Sequence, residues 1–239
     1  AEQRGAARLQ HRVHRGAPLV DREAFAVGRE LGEVGDQLGA ARQRRRAGHH
    51  LRTAQRGVGV GAQRVRARRR LQLGARTFEF IDAPGHARHH HCPIDLDFGD
   101  VYAGDNFGIC YREFDTAAGP FMLPTTTPVH FEPDLLHRTI DRLLSYRPRR
   151  MVQTHFGPGT GLERLARDLH ADLDALVVMA RRHTAAADRA QRIQHDMFEH
   201  FNLRLDAHGY AGSPARRHEF IDEDVNLNTQ GLEVWLSRQ

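Results

Sequence analysis

Hydrophobic and polar positions follow a clear period only in the later part of the chain, from about residue 71 onward. The segment RTFEFIDAPG (76–85) alternates as a β-strand does and ends in a Pro-Gly turn. Two further short strands are predicted at 91–97 and 100–105, and another at 149–157 runs into a loop. Short strands of this kind require a partner layer that covers their apolar side chains.

Helical periods occupy the rest of this region. Pro133 opens a predicted helix over 133–146, and leucines spaced three and four residues apart predict a longer helix over 161–183. Two more helical stretches are predicted at about 187–205 and 219–237. Strands with a helix between them, followed by further helices, predict a layered α/β domain.

The first part of the chain has a different composition. Residues 1–76 carry 18 Arg against 6 acidic residues, whereas 77–239 carry 17 Arg against 24, and there is no Lys. Residues 1–70 show no period and contain one aromatic residue, Phe25. One interpretation is a disordered Arg-rich arm, because little apolar area is available to offset the ordering entropy. We favour the other, a segment translated partly out of frame in a GC-rich gene, and divide the chain into 1–70 and a domain over 71–239.

The setting of the protein is indicated by what the sequence lacks. No apolar run of about 18 or more residues predicts a membrane span, and the first residues do not resemble a signal peptide. Cys92 and Cys110 form neither a CxxC pair nor a disulfide framework. These features predict a reduced, cytoplasmic protein that acts without a membrane.

Three segments place a potential metal ligand at the end of a strand beside a glycine. They are PGHARHHHC with His86, YAGDNFG with Asp105, and QTHFG with His155. Imidazole and carboxylate groups suit zinc, and also iron or manganese, and a carboxylate can bridge two cations. Each segment alone is weak evidence, because a lone histidine is usually a surface residue and GDxxG can be a simple turn. The order and spacing of all three together favour a metal site.

Read in order, these three motifs resemble the second half of metallo-β-lactamase-fold hydrolases of the glyoxalase II-like kind. Members of that family read TPGHxxHH, GDxxG and THxG. The phrases YREFD (111–115), FMLPTTTPVHFEP (121–133) and LNTQGLEVWL (227–236) also resemble one bacterial subgroup. The resemblance covers about residues 71–237. It implies an αββα sandwich, of which this chain supplies an incomplete second half with C-terminal helices.

The resemblance also implies a role for each residue of the motifs. His86 would bind a first metal ion, Asp105 would bridge two, and His155 would bind the second. His89 and His90 match the subgroup's paired histidines, and they would contact a metal ligand and hold its ring in orientation without binding the metal themselves. The implied cofactor is zinc at a two-metal site, with iron or manganese as alternatives.

The upstream HxHxDH motif of the family is absent from this sequence. Neither His11 with His14 nor the pair His49-His50 matches it. Residues 8–21 weakly resemble the family segment that follows the motif, so we expect the chain to begin after it. Both metal positions would then be short of ligands, and we expect the chain to be inactive by itself.

The implied activity is metal-dependent hydrolysis of a small-molecule ester, thioester or lactone, in which the metal ions activate the attacking water. Tyr111 and Arg112 are candidates for substrate binding because they follow Asp105 closely; ordinary loop packing is the alternative. A non-catalytic remnant remains open as a second interpretation. Nucleic-acid binding through the Arg-rich segment is a third, but binders of single strands interleave aromatic residues, and we do not expect it here.

Overall fold

The computed structural model describes residues 69–126, 130–155 and 157–239. In these residues, six strands form one sheet, with spatial order equal to chain order. The strands are β1 (Arg69–Leu73), β2 (Arg76–Asp82), β3 (His91–Asp95), β4 (Asp100–Tyr102), β5 (Arg150–Val152) and β6 (Pro158–Gly159). The α-helices are α1 (Pro133–Leu144), α2 (Leu162–Arg182), α3 (Arg189–Ala207) and α4 (Pro214–Leu236). Two 3-10 helices, Gly104–Phe107 and Arg112–Phe114, lie between β4 and α1.

The sheet is antiparallel except between β4 and β5, which run parallel because α1 lies between them in the chain. In the register, Ile81 pairs with Cys92 and Val101 pairs with Met151. Since successive side chains of a strand point to opposite faces, these four residues share one face of the sheet. All four belong to the main hydrophobic core.

The helices cover that same face. Leu136 and Ile140 of α1, Leu169 and Leu173 of α2, and residues of α3 and α4 are buried in the same core as the strand residues. Ser213 caps the start of α4, where its Oγ accepts a hydrogen bond from the Arg216 backbone N–H at 3.3 Å. The apolar stripes of the helices and the inward positions of the strands therefore form a single layered unit.

The predicted α/β class with C-terminal helices is confirmed, and the predicted helices and four predicted strands are all present, with shorter strands. Strands β1 and β6 were not predicted. The two faces of the sheet are covered differently: Val101 lies in the core under the helices, whereas Phe78 and Phe80 are buried on the opposite face with Tyr102 and Val152. The reason is the register of the strands. Val101 pairs with Ile94, which shares a face with Cys92 and Ile81, whereas Phe78 and Phe80 alternate with Ile81 along β2 and so point to the other face.

One prediction concerns residues largely outside this description. The interpretation of 1–70 as an atypical segment falls on residues of which only Arg69 and Arg70 are described. Among the described residues, no helix is both long enough and apolar enough to span a bilayer.

Candidate metal centre

The loops that carry the three predicted ligands meet at one edge of the sheet. His86 lies in the loop between β2 and β3, where Gly85 has φ of 131° and a Cβ atom would lie 2.4 Å from the backbone of Leu136. Only glycine allows this loop to pass so close to α1. Asp105 follows β4 and His155 follows β5. Because β4 and β5 are parallel neighbours, both residues emerge at the same edge.

The side chains of these residues face one another across Asp105. Nε2 of His86 lies 3.6 Å from Oδ2 of Asp105, and Nε2 of His155 lies 3.7 Å from Oδ1. Each imidazole thus faces a different oxygen of one carboxylate. The Oδ1 atom is buried and accepts no hydrogen bond from the described residues.

The donor chemistry of this group fits a cation, because an orphaned carboxylate oxygen and two imidazole nitrogens are oxygen and nitrogen ligands that zinc accepts. The number of ligands does not amount to a closed site. Within 69–126, 130–155 and 157–239, no group of three or more His, Cys, Asp or Glu side chains is arranged to hold a metal ion. The residues present therefore fit part of a metal centre.

Thr125 sets the orientation of His86. Its hydroxyl donates to the backbone carbonyl of Asp105 at 2.7 Å, and the same oxygen lies 3.0 Å from Nδ1 of His86. Since the hydroxyl proton is used on the carbonyl, the oxygen accepts from the Nδ1–H group. The neutral ring then carries its lone pair on Nε2, which faces Asp105, as a metal ligand requires.

Behind this group, His90 is held in a buried pocket. The side-chain amide of Asn106 donates to Nδ1 of His90 at 2.7 Å, and the ring packs edge-on to His86 with 5.9 Å between centroids. A Cβ atom on Gly104 would lie 2.5 Å from Nε2 of His90, so a glycine at this position leaves room for the ring. His90 is thereby in place to support His86 through packing.

The buried setting keeps both rings neutral. Burial lowers the pKa of His86, against an opposing effect of Asp105. Burial also lowers the pKa of His90 to about 4, and His86 adds to that shift. Neutral imidazole is the form that binds metals, so the pocket favours the ligand form of His86 near neutral pH.

The second predicted supporting residue lies elsewhere. The side chain of His89 is exposed, and its backbone carbonyl is 2.7 Å from Nδ1 of His91. The structure therefore brings His90 and not the His89 ring against His86. The sequence pair His89-His90 could not separate the two, because their burial depends on the path of the loop.

The two candidate substrate-binding residues lie beside the His155 loop. The Tyr111 hydroxyl donates to Oδ2 of Asp224 at 2.8 Å, and burial raises the pKa of Asp224, with His155 nearby as an opposing charge. Arg112 is exposed, and its Nη2 would lie 3.7 Å from a Cβ atom on Gly157. Asp224, from α4, was missed by the sequence reasoning because no motif surrounds it.

Comparisons with known proteins give the following results. No protein-family model matches the sequence, and a search of the curated proteins finds no significant match. An archaeal metallo-β-lactamase superfamily protein from Sulfolobus tokodaii is 24% identical over 44% of this chain and 37% of its own, with a TM-score of 0.37. A metallo-β-lactamase family protein from Thermus thermophilus is 18% identical over 73% of this chain and 48% of its own, with a TM-score of 0.44.

A β-lactamase domain protein from Burkholderia ambifaria gives a similar result. It is 18% identical over 76% of this chain and 49% of its own, and the TM-score is 0.44. This chain spans about half or less of the length of each of these proteins. The likenesses concern part of a fold.

Proposed function

We propose that the described domain belongs to a metal-dependent hydrolase of the metallo-β-lactamase kind, acting on a small-molecule ester, thioester or lactone. The observation that carries the proposal is the arrangement at Asp105, whose two oxygens face the Nε2 atoms of His86 and His155. A carboxylate placed between two imidazoles suits a pair of cations better than a single one. Zinc is the cofactor we propose, with iron or manganese as alternatives.

The chain's own residues would position the cations and leave access for a substrate. His86 is largely buried, with 14% of its side chain exposed, whereas 50% of the His155 side chain is exposed. Solvent therefore reaches the cluster of His86, Asp105 and His155 from the His155 side, where Tyr111 and Arg112 also lie. When bound, the cations would activate water and stabilise negative charge on a carbonyl oxygen.

Three ligands do not complete two metal positions. Catalytic zinc usually has three protein ligands and one open position, and one shared carboxylate with one histidine on each side leaves both positions short. We therefore propose that the 239-residue chain alone binds zinc weakly and does not hydrolyse these substrates. A non-catalytic remnant gives the same result for the chain alone.

Adding the missing motif to the chain distinguishes an incomplete but functional metal site from a non-catalytic remnant. A segment that carries HxHxDH from a related hydrolase, joined ahead of β1, should restore zinc-dependent hydrolysis of a thioester or lactone if the site is functional. In that protein, Asp105→Asn should abolish turnover, whereas Asp188→Asn, an exposed residue at the start of α3, should not. A folded fusion with no turnover favours the remnant.

Hydrolysis by the chain alone is the result that contradicts the proposal of an incomplete site. Robust zinc-dependent turnover by the 239 residues would require replacement ligands. The first candidates are the His89–His91 cluster and His14, His49 and His50, the last three of which lie outside the described residues.

A further inference from the structure

A second cluster of histidines and carboxylates lies between α1 and α2, apart from the residues at Asp105. On α1, His137 and Asp141 are four residues apart, and on α2, His170 and Asp174 have the same spacing. Residues at this spacing lie on one face of a helix. The two imidazole rings lie edge to edge, with centroids 4.9 Å apart and planes 8° from parallel.

Each ring contacts a carboxylate of the opposite helix through its outer nitrogen. Nε2 of His137 lies 3.3 Å from Oδ1 of Asp174, and Nε2 of His170 lies 3.1 Å from Oδ1 of Asp141. Because an ionised carboxylate can only accept, the hydrogen bond to Asp141 places the proton of His170 on Nε2, and the acceptor at 3.3 Å favours the same tautomer in His137. A neutral ring held in this way presents a lone pair at Nδ1.

The two Nδ1 atoms face each other at 2.6 Å. Two lone pairs at this separation repel each other, so the arrangement calls for a cation between them, either a shared proton or a metal ion. Histidines that bind metals usually donate the other ring N–H to a carboxylate, which fixes the tautomer and orients the ring. In this cluster His170 has such a partner in Asp141, and Asp174 lies within 3.3 Å of the corresponding nitrogen of His137.

We propose that His137 and His170 form a second site for a divalent transition-metal ion, bound through the two Nδ1 atoms, with Asp141 and Asp174 orienting the rings. Imidazole ligands suit Zn²⁺, Ni²⁺ and Cu²⁺. Two metal–nitrogen bonds of about 2.0–2.1 Å at a tetrahedral angle set the nitrogens about 3.3 Å apart, so the rings must separate by roughly 0.7 Å.

The location allows that adjustment. The side chains of His137 and His170 are 23% and 27% exposed, so ions can enter from solvent and water can occupy the remaining positions. Two protein ligands bridge two helices here, and a bound ion would link α1 to α2. The proposal is independent of the function proposed for the Asp105 group.

The test uses the full chain, ZnCl₂ and NiCl₂ as probes, and calorimetric titration with a thermal-unfolding assay. His137→Gln or His170→Gln should weaken one binding event at least tenfold and remove the metal-induced rise in Tm. Asp141→Asn should weaken it less, and His195→Gln, an exposed histidine on α3, should leave it unchanged.

Imidazole ¹⁵N spectra of the unmodified chain provide a second readout that needs no variant. Addition of Zn²⁺ should shift Nδ1 of both His137 and His170. If neither nitrogen responds while other histidines bind zinc, or if both Gln variants bind as the unmodified chain does, the pair shares only a proton and the proposal is wrong.

Discussion

The hydroxyl oxygen of Thr125 lies 3.0 Å from Nδ1 of His86. Its own proton is donated to the backbone carbonyl of Asp105, so one threonine joins two candidate ligands that are 19 residues apart in sequence (105 − 86). This contact, together with a hydrogen bond from His86 to the backbone of Thr125, orients the ring and favours the tautomer that leaves Nε2 free to bind a metal. Thr125 is thus the residue through which the loop after β2 and the loop after β4 act together.

Replacement of Thr125 should therefore weaken zinc binding without loss of fold. Thr125→Val keeps the shape and the backbone hydrogen bond to His86 but removes the hydroxyl beside Nδ1, and loss of such a supporting contact typically lowers metal affinity by about 10-fold or more. Thr125→Ser keeps the hydroxyl and should retain most of the affinity. Calorimetric zinc titration of both variants tests this, and equal affinities would show that the hydroxyl does not orient His86.

Gly104 should tolerate alanine less well than another glycine of similar backbone conformation. Gly104 and Gly209 both have positive φ, 57° and 80°, but only at Gly104 would a Cβ atom meet another group, the Nε2 atom of His90 at 2.5 Å. Both substitutions incur left-handed strain of about 1–2 kcal/mol. Gly104→Ala should also displace His90 from Asn106.

Urea unfolding of the two glycine variants measures the difference. A larger loss of unfolding free energy in Gly104→Ala than in Gly209→Ala is expected. Equal losses would mean that His90 moves aside without cost and that its pocket is not closely packed.

The sequence was informative where a period or a motif is local. Strands β2 to β5 alternate or form short apolar runs, and the four helices follow apolar spacing, so these elements could be predicted. β1 could not, because all five of its residues are exposed and no alternation marks an inner face. β6 has two residues, Pro158 and Gly159, and exists through its pairing with β5.

The candidate site shows the same division. His86, Asp105 and His155 could be predicted because each sits in a glycine-containing motif, and the structure brings them together. The Tyr111–Asp224 contact joins residues 113 positions apart, and the support of His90 by Asn106 depends on how two loops pack. Neither contact leaves a pattern in the sequence, because each is a product of tertiary packing.

Asp172 should be the most sensitive of the carboxylates on α2. It is fully buried and accepts hydrogen bonds from Arg204 and from Nε2 of His200, the latter at 2.8 Å. Burial raises the pKa of Asp172, against the opposing effects of His200 and Arg204. Removing one partner of a buried pair typically costs about 3–5 kcal/mol. Because Arg204 keeps a contact with Asp168 at 3.5 Å, Asp172→Asn should lower the unfolding free energy by an amount near the lower end of that range.

The matched control for this variant is Asp188→Asn. Asp188 pairs with Arg192 at 2.7 Å on the exposed surface of α3, and exposed ion pairs contribute little to stability. Denaturant unfolding of both variants should show a large loss for the first and little change for the second. Equally small losses of unfolding free energy in both variants would indicate that Arg204 and His200 become hydrated when Asp172 is replaced.

Both cysteine thiols should be unreactive in the folded protein. Burial raises the pKa of Cys92 to about 12 and that of Cys110 to about 11, and both side chains are fully buried. Because the thiolate is the reactive form, iodoacetamide at pH 8 should label neither residue until denaturant is added. Labelling of Cys92 at the rate of a free thiol under native conditions would contradict the buried position of β3.

The most direct test of the proposed metal centre is residue-resolved NMR of the imidazole nitrogens while Zn²⁺ is added to the 239-residue chain. The chain has 17 histidines, so assignment to individual residues is what separates this site from adventitious binding. We expect the Nε2 signals of His86 and His155 to respond together, and Asp105→Asn to weaken both responses in parallel. Unchanged Nε2 signals for His86 and His155, at zinc concentrations that shift other imidazoles of the folded chain, would contradict the assignment of Asp105 as a carboxylate shared between two metal positions.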